Sequence, residues 1–146
     1  MKNSILTALL FCTASIAAQN KPDAIVGRWM STEDNVMVEI YKCSNCFKAK
    51  VVWFNDDDDK GKPYYTRCDT KNPDNSLRNR KIYGMDVLNG LTYNIKEDRW
   101  EDGKIYDAKS GKTWSASVWI TGDHLLKVRG FWHFEFMGET MKFKRA

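Results

Sequence analysis

The chain has 146 residues, 42% of them hydrophobic and 13% aromatic, with a formal net charge of +4. That length suits one domain built on one core, and so weak a positive bias lacks the concentrated basic stripe of a nucleic-acid binder. Beyond the N-terminus, no apolar run approaches the roughly 20 residues of a membrane-spanning helix. At the start, Lys2 precedes the apolar run from Ile5 to Phe11, and small residues lead to Ala17-Ala18. This is the charged, apolar and small-residue order of a secretory signal peptide, expected to span 1–18 with cleavage before Gln19. A lipid anchor would need a small residue before Cys12, and Phe11 stands there. Residues 19–146 are then a single exported domain, periplasmic or extracellular. With Lys2 removed, its 22 basic and 19 acidic residues leave +3.

Period-two alternation dominates the expected mature chain. Strands are expected over 25–30, 36–41, 47–53, 86–93, 99–106, 112–120, 124–129, 132–137 and 140–145. Cys43-Ser44-Asn45-Cys46 reads as a tight hairpin connection. Lys109-Ser110-Gly111-Lys112 and Thr121-Gly122-Asp123 read as turns, and Gly138-Glu139 as another. The polar stretch 55–80 holds Pro63, Pro73 and four consecutive aspartates from Asp56. It reads as a long loop with one helical turn near 74–77, and loops of that length are often functional. Many short strands separated by turns predict an all-β fold, a barrel or a β-sandwich.

Several tempting motifs fail on their physics. Gly111-Lys112-Thr113 resembles the tail of a phosphate-binding loop, but Tyr106 stands where the first glycine is needed. A strand comes next instead of a helix, so no N-terminal amides are left to hold phosphate. The aspartate run lacks the spaced ligands of a calcium loop, with Arg67 in the place of its twelfth-position glutamate. Asp59-Lys60 suits a proteolytic nick. Ser110 has no glycine two residues before it, so no nucleophile elbow is present.

Cysteine usage is more informative. Cys43 and Cys46 lie between strands, where no helix N-terminus depresses a thiol pKa as in redox pairs. Structural zinc needs four ligands, and no spacing joins Cys68, His124 or His133 to the pair. A local disulfide that pins the turn is the expectation, in keeping with export. Cys68 is left as the odd thiol.

Leu77-Arg78-Asn79-Arg80-Lys81 is the densest basic stretch. It is either solvated surface or an arginine clamp for carboxylate or phosphate. Arg129 is a candidate to join it. Six tryptophans recur along the strands, mostly as core, though small ligand-holding barrels line their cavities with aromatics.

Gly27-Arg28-Trp29 resembles the Gly-x-Trp opening of the calycin barrels, the lipocalins and fatty-acid-binding proteins. That resemblance implies that Trp29 packs near a basic residue of the last strand, for which Arg145 is the candidate. The mature chain is also similar, along nearly its whole length, to a bacterial secreted family known as domain of unknown function 2147. The matching segments include Val38-Glu39-Ile40-Tyr41, the Cys43/Cys46 pair before Val51-Val52-Trp53, and Asn72-Pro73-Asp74 with Leu77-Arg78-Asn79-Arg80. They continue through Gly103-Lys104-Ile105-Tyr106-Asp107, Gly111-Lys112-Thr113 and Val128-Arg129-Gly130. Ala108 and Phe47 depart from the family pattern, which has proline and glycine there.

The expected architecture is therefore an antiparallel, calycin-like up-and-down barrel. The leading functional expectation is a small anionic or amphiphilic ligand bound in the barrel mouth. Arg78, Arg80, Lys112 and Arg129 would supply charge, Trp100, Tyr106 and Trp114 apolar walls, and Asn72 a polar contact. No catalytic set, cofactor or metal is expected, and the domain is expected to act as a monomer. The alternatives are a hydrolase or isomerase using the same cleft, and an envelope interaction or stress protein.

Overall fold

A computed structural model describes residues 21–55 and 61–146. The expected leader (1–18), the aspartate run and the expected nick site at Asp59-Lys60 lie outside these described residues. Eight strands succeed one another in chain order: β1 (Gly27–Ser31), β2 (Val36–Cys43), β3 (Cys46–Phe54), β4 (Asp86–Asn94), β5 (Arg99–Asp107), β6 (Lys112–Ile120), β7 (Leu126–Phe131) and β8 (Glu139–Arg145). Each pairs antiparallel with the next, and β8 returns to β1, so the sheet closes as an up-and-down barrel. Closure removes the exposed edges that an open sheet must protect and excludes the sandwich alternative.

The alternation that predicts the strands also sorts their faces. Ile40 opposes Ala49, Val38 opposes Val51, and Trp100 opposes Val118, all buried. Residues directly opposite on an antiparallel pair share a face, so these positions define the interior. Each large apolar side chain buried there contributes about 1.5–3 kcal/mol.

One end of the barrel is plugged. Lys21–Ile25 forms a 3-10 turn that places Ile25, fully buried, under the strands. The Trp29 indole N–H donates to the Ile25 carbonyl (2.8 Å), and that of Trp100 to the Pro22 carbonyl (2.9 Å). Arg145 pairs with Trp29 across the closing seam and lays its guanidinium 4.0 Å from the indole ring. It also donates to the carbonyls of Ala24 and Val26. Gly27 has φ of +123°, and a Cβ there would lie 2.7 Å from Arg145 Nη1. The glycine of the Gly-x-Trp opening thus lets the closing arginine approach. The Cys43–Cys46 disulfide sits in the β2–β3 turn at this same end, between residues paired in register.

The other end carries the long connection between β3 and β4, the β5–β6 turn and the β7–β8 connection. Three expectations need correction. Ile25 belongs to the plug, not the first strand. His124 sits in a turn with φ of +61°, so β7 starts at Leu126. The expected strand over 132–137 does not form: Gly130 pairs with Glu139, and the intervening residues loop outward with a 3-10 turn at Glu135–Met137. Its aromatics have strand propensity, but Glu135 is drawn against the outer wall. There it meets Arg99 (2.9 Å), Ser117 (2.9 Å) and Arg129.

Candidate functional site

The long connection is ordered by a polar centre built on Asp69, a residue that no sequence motif marks. The Ile82 amide donates to the Arg67 carbonyl and the Asp69 amide to the Arg80 carbonyl, with Cys68 and Lys81 bridged between them. This ladder carries Asp69 to a fully buried position. Its carboxylate accepts from Tyr106 Oη (2.6 Å), Asn72 Nδ2 (2.7 Å) and Arg80 Nη2 (2.9 Å). Asn72 is itself buried. Its side-chain oxygen accepts from the Asp74 amide, and its carbonyl accepts from Arg78 Nε. Asp74 then caps the helical turn Asn75–Leu77 by accepting from Ser76. Gly111, at φ of +70°, completes the contact: a Cβ there would fall 2.0 Å from the Lys71 carbonyl. The loop is thereby latched to the β5–β6 hairpin.

This environment sets the titration of both partners. Burial is the largest single influence on Asp69 and acts to raise its pKa. The hydrogen bonds from Asn72, Tyr106 and Arg80, with the Arg80 charge, together outweigh it and hold the carboxyl below its ordinary value. Tyr106 is pushed up to about 12, first by burial and then by its bond to the Asp69 carboxylate.

Four of the eight candidate ligand residues, Asn72, Arg78, Arg80 and Tyr106, therefore meet in one network. Register places the others differently. Tyr106 pairs with Thr113 on the outer side, whereas Ile105 pairs with Trp114 and with the buried Leu88 on the inner side. Lys112 lies two residues from Trp114, so both belong to the inner face at the rim. Trp100 sits at the plugged end of β5, buried against Tyr93. Arg129 opposes Ser117 on the outer wall, bonded to the Glu135 carbonyl and to Thr140 (2.7 Å). Neither of these last two reaches the rim.

The rim has one feature beyond the sequence reading. Met141 pairs with the buried Val128 and lies two residues from the buried Phe143, which places it on the inner wall. Yet it is 44% exposed. On its other side β8 pairs with β1 only from Phe143 onward, with one further bond from the Thr32 amide to the Lys142 carbonyl. Met141 is thus an inner-wall position of β8 that reaches solvent toward the loop end, where the inner-face residues Ile105 and Trp114 are half-buried.

The histidines lie at opposite ends, His124 in the β6–β7 turn and His133 in the β7–β8 connection. Lys104, exposed on the outer wall, donates from Nζ to Ser115 Oγ (2.9 Å). Cys68 is a free thiol. Among the described residues, no three His, Cys, Asp or Glu side chains gather as a metal site requires, and no helix is long and apolar enough to cross a membrane.

An eight-stranded closed barrel with a plugged end, a Gly-x-Trp opening and an arginine over that tryptophan is a calycin-type architecture. Among solved structures, the chain is similar to protein HP1028 from Helicobacter pylori, described as belonging to the lipocalin family. The two share 24% identity, with a TM-score of 0.69 over 84% of this chain and 82% of that one. At that identity the likeness speaks to the fold. No curated protein matches the sequence significantly. Residues 27–145 match the family described as "uncharacterized protein conserved in bacteria (DUF2147)", and the chain belongs to that family.

Proposed function

We propose that this protein is an exported binding module that takes a small amphiphilic anion at the wet end of its barrel. The observation that carries the reading is Met141, an inner-wall side chain 44% exposed above a packed core. With Ile105 and Trp114 it offers an apolar surface inside the mouth. Lys112, on the same face at the rim, offers the charge. Arg80, whose side chain is 39% exposed, adds a cation on the loop latched alongside. Export rests on the leader pattern of residues 1–18 and agrees with the disulfide.

Native mass spectrometry of gently purified protein, with thermal shifts across fatty acids and other organic acids, tests the binding reading. An adduct or stabilisation that Trp114→Ala and Lys112→Glu both weaken is the expected result. No adduct and no shift across the panel would overturn it. N-terminal sequencing of the exported product should begin at Gln19.

The interaction-protein alternative draws on a separate observation. Trp132, Phe134 and Met137 are all more than half exposed on the β7–β8 connection, and grouped exposed apolar side chains mark interaction surfaces. The enzyme alternative has less support, since the two histidines lie at opposite ends of the barrel.

A further inference from the structure

On the outer wall, near the loop end of β5 and β6, lies an open groove of about 260 Å³ lined by Lys104, Thr113, Ser115, Trp132 and His133. It lies on the opposite face of the sheet from the mouth, with Trp132 packed against Trp114 at the rim between them. Lys104, Thr113 and Ser115 alternate along their strands with Ile105 and Trp114, so they occupy the opposite face of the sheet.

The groove combines one aromatic surface with four hydrogen-bonding side chains. Trp132 is 61% exposed, yet it is held edge-on by Trp114 (centroids 5.8 Å, 78°) and by His133 (5.7 Å, 81°). An exposed indole that is already positioned loses little side-chain entropy when a ligand covers it. Lys104 and Ser115 are directly opposite in register and hydrogen-bonded at 2.9 Å. That bond uses one of the three ammonium donors and fixes the cation beside the groove.

The geometry points to a binding site for an acidic saccharide unit. A pyranose ring has a face of C–H groups that packs on an indole, and an edge of hydroxyls that matches Thr113, Ser115 and His133. A carboxylate on the ring meets Lys104. A bare phosphate would use Lys104 and ignore Trp132. A flat aromatic acid would use both and leave the three polar side chains without partners. Because the groove is open rather than enclosed, it admits an internal unit of a chain.

Calorimetric titration of the mature protein with tetragalacturonate tests the assignment, with the carboxyl-reduced tetrasaccharide, inorganic phosphate and benzoate as comparisons. Saturable binding of the acidic tetrasaccharide is expected, weakened about tenfold or more by Trp132→Ala, as for aromatic anchors generally. Lys104→Gln should bring the affinity down to that of the carboxyl-reduced sugar and remove most of the salt dependence. Lys127→Gln, elsewhere on the outer wall, should leave binding unchanged. No heat with the acidic sugar, unchanged affinity in Trp132→Ala, or phosphate or benzoate binding as tightly as the tetrasaccharide would each overturn the assignment. Trp114 and Lys112 keep their side chains in every variant of this test, so a failure of the wild-type protein to bind the acidic sugar would leave the mouth reading standing.

Discussion

At the plugged end of the barrel, Ile25, Trp29 and Trp100 are shielded from water, and the polar groups that accompany them are satisfied by carbonyls of one short segment. At the loop end, the groups that meet are a carboxylate, an amide, a phenol and a guanidinium, drawn from a long connection and from β5. Apolar burial is proportional to area and insensitive to pH. A polar latch is worth much less net, since each of its bonds replaces one to water, and it depends on charge states. The two ends should therefore fail separately, one taking the whole fold with it and the other releasing a loop.

The sharpest break of the plugged end is Trp29→Ala. It removes the indole from the core, the bond to the Ile25 carbonyl and the surface on which Arg145 lies. Large aromatic truncations in cores cost about 3–5 kcal/mol, and unfolding in urea should register that loss as a lower midpoint of a single transition. A cost below about 1 kcal/mol would mean that the plug is not packed as described.

The latch end responds to Asp69→Ala. Tyr106, Asn72 and Arg80 would lose their common acceptor, at a cost of about 1–3 kcal/mol, carried mainly by the buried Asn72 amide left unpaired. Amide exchange should speed up over 67–82 while the barrel strands keep their protection. Its pH dependence has a definite sign. The Asp69 pKa is lowered by folding, so its contribution is present above the ordinary carboxylate pKa of about 3.9. That contribution is lost as pH falls through the lower folded value. The Tyr106 pKa is raised to about 12, so its contribution is present below the ordinary phenol value of about 10. It is lost as pH rises toward the folded value. Exchange over 67–82 should thus accelerate at both extremes. Asp69→Asn should flatten the acid limb and Tyr106→Phe the alkaline one.

The same contrast explains what can be read from the sequence. Strand alternation and turn residues carry the barrel, because the period-two pattern is the pattern of its interior. Gly27-Arg28-Trp29 and Arg145 are legible because a whole fold class closes that way. Asp69 is not legible: it lies outside any apolar pattern, and its partners stand 3, 11 and 37 positions away. The polar run from Asn72 to Arg80 marks the right loop but suggests a ligand clamp, and nothing in it reveals the carboxylate that engages Asn72 and Arg80. The aromatic run 132–137 misleads for the opposite reason. Its strand propensity is genuine, but the pairing of Gly130 with Glu139 and the ion pair of Glu135 with Arg99 overrule it.

Smaller effects refine the plugged end. Replacing Cys43 and Cys46 by serine opens a ring too short to restrain much of the unfolded chain, so the loss should be roughly 2 kcal/mol. Two-state unfolding should persist, because the turn is also held by the β2–β3 ladder. A collapse of the fold in the reduced protein would show instead that the staple governs the register of the first hairpin.

The smallest and most specific effect belongs to Arg145→Lys, which keeps the charge but not the plane. Lysine cannot lie flat on Trp29 while donating to the carbonyls of both Ala24 and Val26. A loss of about 1 kcal/mol is expected for the stacked cation. It should come with a change in tryptophan fluorescence and little sensitivity to salt, because the partner is a ring and not a carboxylate. Arg145→Ala should cost more than the lysine variant. Equal costs for the two would assign the effect to the lost carbonyl bonds alone, and removing the Trp29 ring in the same background would then add its full cost independently.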